Sequence, residues 1–323
     1  MPLIPGVPAP NLAPRMGSED LSARGGVTYR ELRARSLVNR CSTDRMPFQW
    51  TVNPYRGCAM GCRYCYAAYT HEFMGIVGGE AFHSLVYVKS DGEETERVLA
   101  RAVRRGELIA LGTATDPYQP AEGRYRLTRS CLEVLSAARN PFSIVTRGPM
   151  IVRDIDVLGA AASRADVHVS FSVPTLDREV WRRTEPGTAP PRQRLRALQR
   201  LVEAGIDAGV GMAPILPGIS DDPAQLAEVV KAAREAGATG LWCNVLYLRP
   251  GTREHFLGSL ARHWPALLPT YERMYQTPYP DRRESDPIKA RVATLRAELG
   301  IADRRLRPLE PPPAPEQLSL MCD

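Results

Sequence analysis

Cys58, Cys62 and Cys65 lie close together in the run NPYRGCAMGCRYCYAAY, and no fourth cysteine follows nearby. Three thiolates spaced C-x3-C-x2-C can each hold one iron of a four-iron cubane and leave the fourth iron open. Electron-transfer clusters of that kind are closed by four cysteines. The spacing therefore points to chemistry at the cluster itself. Gly57 and Gly61 precede the first two ligands, and glycine lets a loop curl so that N–H groups approach an anionic centre. A structural zinc site is the alternative, with His71 or Cys41 as the fourth ligand. Zinc loops usually come as paired knuckles, and the chain has no second C-x2-C. A thioredoxin-like pair, Cys62 with Cys65, fits less well, because Cys58 stands four residues ahead of it.

The elements that must position this loop alternate along the chain. FQWTVN (48–53) reads as a strand entering the loop and 64–74 as a helix leaving it. AFHSLVYVKS reads as an extra extended segment before a helix over 94–105. Strands follow at 107–113, 142–146, 167–173, 207–215 and 240–248, with helices at 127–139, 150–163, 191–204 and 222–236. The strands are short and mostly apolar on both faces, as in a parallel sheet covered by helices. Glycine in AGI and AGAT ends the helices before strands 207 and 240. Six strand–helix units are too few to close an eight-stranded barrel. They predict an α/β fold with a partial (β/α)6 TIM-like barrel of parallel strands, although an open Rossmann-like sheet would share the alternation. In either fold, catalytic residues belong at the C-terminal ends of strands, where the cysteine loop sits.

The expected organisation is an N-terminal arm over 1–43, largely irregular, a core over 44–250, a helical extension over 251–307 and a disordered proline-rich tail over 308–323. The chain has 323 residues, 44% hydrophobic and 24% charged, as in a soluble globular protein. Its formal charge is +6, carried almost wholly by arginine, since Lys89, Lys231 and Lys289 are the lysines. That excess permits an anionic partner such as nucleic acid without requiring one. Seven cysteines, three of them clustered, argue for a reducing compartment and a metal site rather than a disulfide scaffold. The sequence shows no signal peptide and no apolar run of the ~18 residues needed to span a bilayer, so a cytoplasmic location is expected.

C-x3-C-x-aromatic-C, with Tyr64 as the aromatic, resembles the signature of the radical S-adenosylmethionine (SAM) superfamily, closely over 53–66 and in outline over 48–250. The resemblance implies a 4Fe–4S cluster on Cys58, Cys62 and Cys65. It also implies SAM on the fourth iron, cleavage to a 5′-deoxyadenosyl radical, and an electron donor such as flavodoxin or ferredoxin. Tyr64 would lie beside the adenine. Thr115 and Asp116, with Glu122 after them in TATDPYQPAE, match groups that receive the amino group of the methionine moiety. A proline-stiffened turn closed by Asp116 is the plainer reading of the same residues. Arg147, after Thr146, would pair with the SAM carboxylate; a surface arginine at a strand end is the alternative. His168, Ser170 and Ser172 share one face by alternation, and Ser170 and Ser172 would contact ribose and carboxylate, while His168 reads as an interior histidine. Met212, in MAPILPG, would pack on adenine or belong to the ordinary core. Glu185 opens a proline-rich loop ringed by Arg182, Arg183, Arg192, Arg194, Arg196 and Arg200. These arginines read as a phosphate-binding surface or a solvated helix face. Cys131 and Cys243 read as core.

The wording NPYRGCxxGCxYCYA with TDPYQPAE is similar to the group around spore photoproduct lyase, often labelled DNA repair photolyases, which makes a nucleic-acid lesion the implied substrate. In that group a hydrogen-donating cysteine stands where this chain has Thr113, whose O–H bond is too strong for that role. A non-catalytic metal-binding module that binds nucleic acid is the reading from another class.

Overall fold

The computed structural model describes residues 20–34, 37–41, 46, 48–76, 79–90 and 106–303. The expectation of an irregular arm is corrected where the described residues between 20 and 40 form three strands. β1 (Asp20–Arg24) and β2 (Val27–Arg33) make an antiparallel hairpin, and β3 (Val38–Arg40) edges the main sheet. The cause is pairing across a long sequence separation. β2 lies parallel to β6 (Leu85–Ser90), so that Tyr29 is buried with Val86 and Val88. β5 (Tyr55–Arg56) closes this four-stranded sheet, in the order β1-β2-β6-β5. AFHSLVYVKS, expected to be extended throughout, is divided. Gly79–Ser84 is a helix that buries Phe82 completely, and only Leu85–Ser90 is strand.

The second sheet carries the alternation. β4 (Trp50–Val52), β7 (Ile109–Leu111), β8 (Phe142–Thr146), β9 (Val167–Ser172), β10 (Asp207–Ile215) and β11 (Leu241–Val245) are six parallel strands in chain order, with β3 antiparallel at one edge. Among the described residues the sheet stops at β3 and β11 and does not close on itself. β8 and β10 have the expected bounds. The helix expected over 94–105 and the tail 308–323 lie outside the described residues.

The two faces of this sheet differ in composition. Ile144, Val169, Phe171, Val210 and Met212 face the covering helices and are fully buried with Leu132, Leu158, Leu198 and Val229. The opposite face carries His168, Ser170 and Ser172 on β9, opposite Asp207, Gly209 and Gly211 on β10, and Trp242, whose indole N–H donates to Ser170 at 3.1 Å. Helices Thr252–His263, Leu268–Met274 and Arg282–Glu298 follow β11. The last packs Val292 into the main core.

Candidate active site

The cysteine loop leaves β4 at the C-terminal end of the sheet. Gly57 has φ +84°, and a Cβ there would stand 2.5 Å from the carbonyl oxygen of Leu85, so only glycine fits. The Gly57 carbonyl accepts from Thr115 Oγ1 at 2.6 Å and from Gln119 Nε2 at 2.9 Å. Gln119 Oε1 in turn accepts from the Ala59 N–H at 3.0 Å. On the other side Cys58 N donates to Phe82 O at 2.9 Å, and the His83 ring bonds Cys58 O at 2.9 Å. Gly187 N donates to Met60 O at 3.1 Å, and a Cβ at Gly187 would crowd Ala59 O at 2.8 Å. The loop is therefore clamped from both sides before any ligand arrives.

All three loop thiols are free; Cys58 and Cys62 are buried and Cys65 is half-buried. Burial pushes all three above the usual thiol range. Cys58 is raised further by Asp116 and the other thiols, and Cys62 is pushed up to about 12 although Arg147 pulls against the rise. Thiols that resist ionisation in a preformed loop suit a centre that brings its own positive charge and displaces the protons. The donor set and the glycine-shaped cradle thus fit a cluster held by three cysteines. His71, the alternative fourth ligand for zinc, has Nε2 engaged by Leu85 O at 2.9 Å and its ring edge against Phe82.

Beside the loop lies a buried charge network centred on Glu185, at the end of helix Arg178–Thr184. Glu185 accepts from the Tyr64 hydroxyl and the Arg194 guanidinium, and from Arg147 Nε at 3.2 Å. Arg147 also stacks over the Tyr64 ring at 5.8 Å and reaches Ala213 O at 3.4 Å. Arg194 is fully buried, with further bonds to Ser172 O and Ala189 O, both at 2.8 Å. Burial would raise the Glu185 carboxyl, but Arg194 and Arg147 outweigh it and hold it down at about 2. Two guanidiniums thus meet two carboxylates, Glu185 and Asp116, and Arg147, a fifth of whose side chain is exposed, is the one open to a further anion.

The remaining expected residues are placed as follows. Thr115 and Asp116 lie at the end of β7, buried and engaged with protein groups. Asp116 accepts from Thr146 Oγ1 at 2.6 Å, Arg147 N at 2.7 Å and Tyr118 N at 2.9 Å, the last closing an Asx turn. Three bonds leave a carboxylate about one acceptor position. Glu122 is drawn away from the site by Tyr55, Thr128 N and Arg153, and is a structural node. Ser170 and Ser172 share the small-residue face, and Ser172 Oγ donates to Ala213 O at 2.8 Å. Met212 is corrected: its side chain is on the opposite face, fully buried in the helix-covered core. Cys131 and Cys243 are core, as expected. Arg194, read with its neighbours as a solvated or phosphate-binding surface, is the buried member of its helix, because one turn of Pro191–Glu203 packs over Glu185. Gln119 and Asn53 carried no separate signal. Asn53 bonds Ala114 N at 2.7 Å and Thr113 Oγ1 at 3.1 Å, and Tyr66 donates its hydroxyl to Thr113 O at 2.5 Å. Among the described residues no helix is long and apolar enough to cross a membrane.

Comparison with known proteins gives the family and the fold. The family model described as the Radical SAM superfamily matches residues 52–230. An uncharacterized protein of Mycobacterium tuberculosis (strain ATCC 25618 / H37Rv) is 38% identical over 289 residues, covering 88% of this chain and 85% of its own. An uncharacterized protein of Methanocaldococcus jannaschii is 27% identical over 173 residues, covering 54% of this chain and 62% of its own. Among solved structures, spore photoproduct lyase complexed with dinucleoside spore photoproduct superposes with a TM-score of 0.63 at 16% identity, covering 84% of this chain and 79% of that one. A mutant of that lyase with bound AdoMet and the same dinucleoside gives 0.60 at 15% identity, covering 81% and 76%. At such identities the likeness is one of fold.

Proposed function

This chain belongs to the radical SAM superfamily, and from that premise we propose that Cys58, Cys62 and Cys65 hold a 4Fe–4S cluster whose open iron takes SAM, for hydrogen abstraction from an organic substrate. When bound, that pair supplies one-electron cleavage of the sulfonium to a 5′-deoxyadenosyl radical. The residues of the chain bind, orient and exclude water. Arg147, the partly exposed guanidinium beside Cys62 and Tyr64, pairs with the SAM carboxylate. Tyr64, fixed by Glu185, offers its ring to the adenine. Asp116 meets the amino group with its remaining acceptor position, next to Thr115. Ser170 and Ser172 line the small-residue face along which the nucleoside lies. The electron comes from a carrier such as flavodoxin or ferredoxin.

The observation that carries this reading is a loop of three free thiols, clamped on both sides, with the half-buried Arg147 guanidinium acting on Cys62. Anaerobic reconstitution followed by dithionite and SAM should release 5′-deoxyadenosine from the unaltered protein and none from Cys62→Ala. A colourless protein carrying one zinc and releasing no nucleoside would sink the proposal.

For the substrate, the fold shared with a lyase bound to a dinucleoside lesion and the net charge of +6 support a nucleic-acid lesion. Thr113 supports a different final step from one that uses a thiol at that position. Its hydroxyl accepts from Asn53, and its O–H bond does not yield hydrogen readily to a carbon radical.

A further inference from the structure

The cysteine loop has two sides, and only one faces the groups just described. The inner side meets Thr115, Gln119 and Arg147. The outer side packs on helices Gly79–Ser84, Arg178–Thr184 and Thr252–His263, through Phe82 O, Thr184 O and the Thr252 hydroxyl, which donates to Cys65 O at 3.3 Å.

The C-terminal ends of the latter two helices present a basic surface. Arg182 and Arg262 are exposed and Arg183 is half-buried, with its guanidinium 5.5 Å over the partly exposed Trp264 ring. Arg63 joins them from the loop itself. His263 lies among them: partial desolvation, then Arg183, Arg262 and Arg63, hold it below the ordinary histidine range. Two carboxylates stand against these four guanidiniums. Glu179 is 3.6 Å from Arg182 and 3.7 Å from Arg183, and Glu80 is 3.4 Å from Arg63. Such exposed pairs are weak, and the patch stays net positive, with an indole at its centre.

We propose that this patch is the docking surface for an acidic one-electron carrier protein. The inference rests on the cluster assignment above. Backbone connectivity favours this partner. Arg63 N donates to Thr184 O at 2.8 Å. A path of one hydrogen bond and adjacent peptide units therefore runs from Arg183, through Thr184 and Arg63, to the ligand Cys62. Each productive encounter moves one electron, oxidising the carrier by one and reducing the cysteine-bound centre by one. A nucleic acid would also find arginines and a stacking ring here. Its reacting atom, however, is needed on the inner side of the loop, whereas an electron is needed only at the cysteines.

The test uses the reconstituted full chain, with purified flavodoxin as the probe and the triple variant Arg182→Glu, Arg183→Glu, Arg262→Glu. Flavodoxin affinity, measured by surface plasmon resonance at low salt, should fall about tenfold or more. Affinity for the unaltered protein should weaken as salt rises past a Debye length of about 10 Å. Dithionite-driven release of 5′-deoxyadenosine should be unchanged in the variant, which also shows that it is folded and loaded. The milder Arg182→Gln, Arg262→Gln pair should fall in between. Unchanged flavodoxin affinity in the variants overturns the docking inference. So does loss of single-stranded oligonucleotide binding with flavodoxin affinity intact, which would make the patch a nucleic-acid surface. Failure of dithionite to release any nucleoside from the unaltered protein counts instead against the cofactor assignment.

Discussion

At the scale of single residues, Glu185 does more than its place in an exposed-looking proline-rich loop announces. It neutralises Arg194, tethers Arg147 and receives the Tyr64 hydroxyl, all within one buried site. Replacing it by glutamine leaves the fully buried Arg194 guanidinium without its carboxylate and beside that of Arg147. Breaking a buried pair in this way costs on the order of 3–5 kcal/mol, so Glu185→Gln should lower the guanidinium unfolding midpoint markedly at pH 7. The sign with pH follows from its depressed carboxyl. The stabilisation is complete above the ordinary value of 4.5 and is lost as pH falls towards about 2. The difference between unaltered protein and variant should therefore persist down to about pH 4.5 and shrink below it. This network was only half legible in the sequence. Tyr64 and Arg147 stand beside recognisable motifs. Arg194 is one arginine among several on its helix, and nothing local distinguishes the one that turns inward.

At the scale of elements, apolar residues located the parallel strands well, because the face under the helices must be filled by side chains such as Val169, Phe171 and Val210. FSIVT and DAGVGMAPI matched to the residue. The hairpin Asp20–Arg33 was missed because its pairing partner, Leu85–Ser90, lies more than fifty residues away and its own stretch is rich in arginine. Met212, read from the resemblance as packing on adenine or belonging to the core, lies in the core, on the face opposite Ser172. Adenine packing and core packing ask for the same side chain, and only the pairing of Gly211 with Ser172 decides which way Met212 points. The cysteine loop depends on a position with no side chain. Gly57→Ala would combine a left-handed φ with an immovable backbone oxygen at 2.5 Å. Iron content per chain after reconstitution should fall several-fold, while far-ultraviolet circular dichroism, which reports the helices and sheet elsewhere, should stay close to that of the unaltered protein.

At the scale of the whole molecule, the helix Arg282–Glu298 acts as a late-arriving wall for the barrel. It lies over β11 with Val292 buried in the main core, and Arg296 donates to Leu241 O at 3.1 Å. Val292→Ala removes two buried methyl groups, worth about 2 kcal/mol. It should lower the thermal midpoint by a few degrees with 5′-deoxyadenosine release per loaded chain unchanged, since the helix is far from the cysteines in the strand order. The sheet it covers ends at β3 and β11 without joining them. A ring must be entered at its mouth, whereas a trough can be entered along its length. The strands therefore set no upper limit on the size of the molecule that carries the reacting atom.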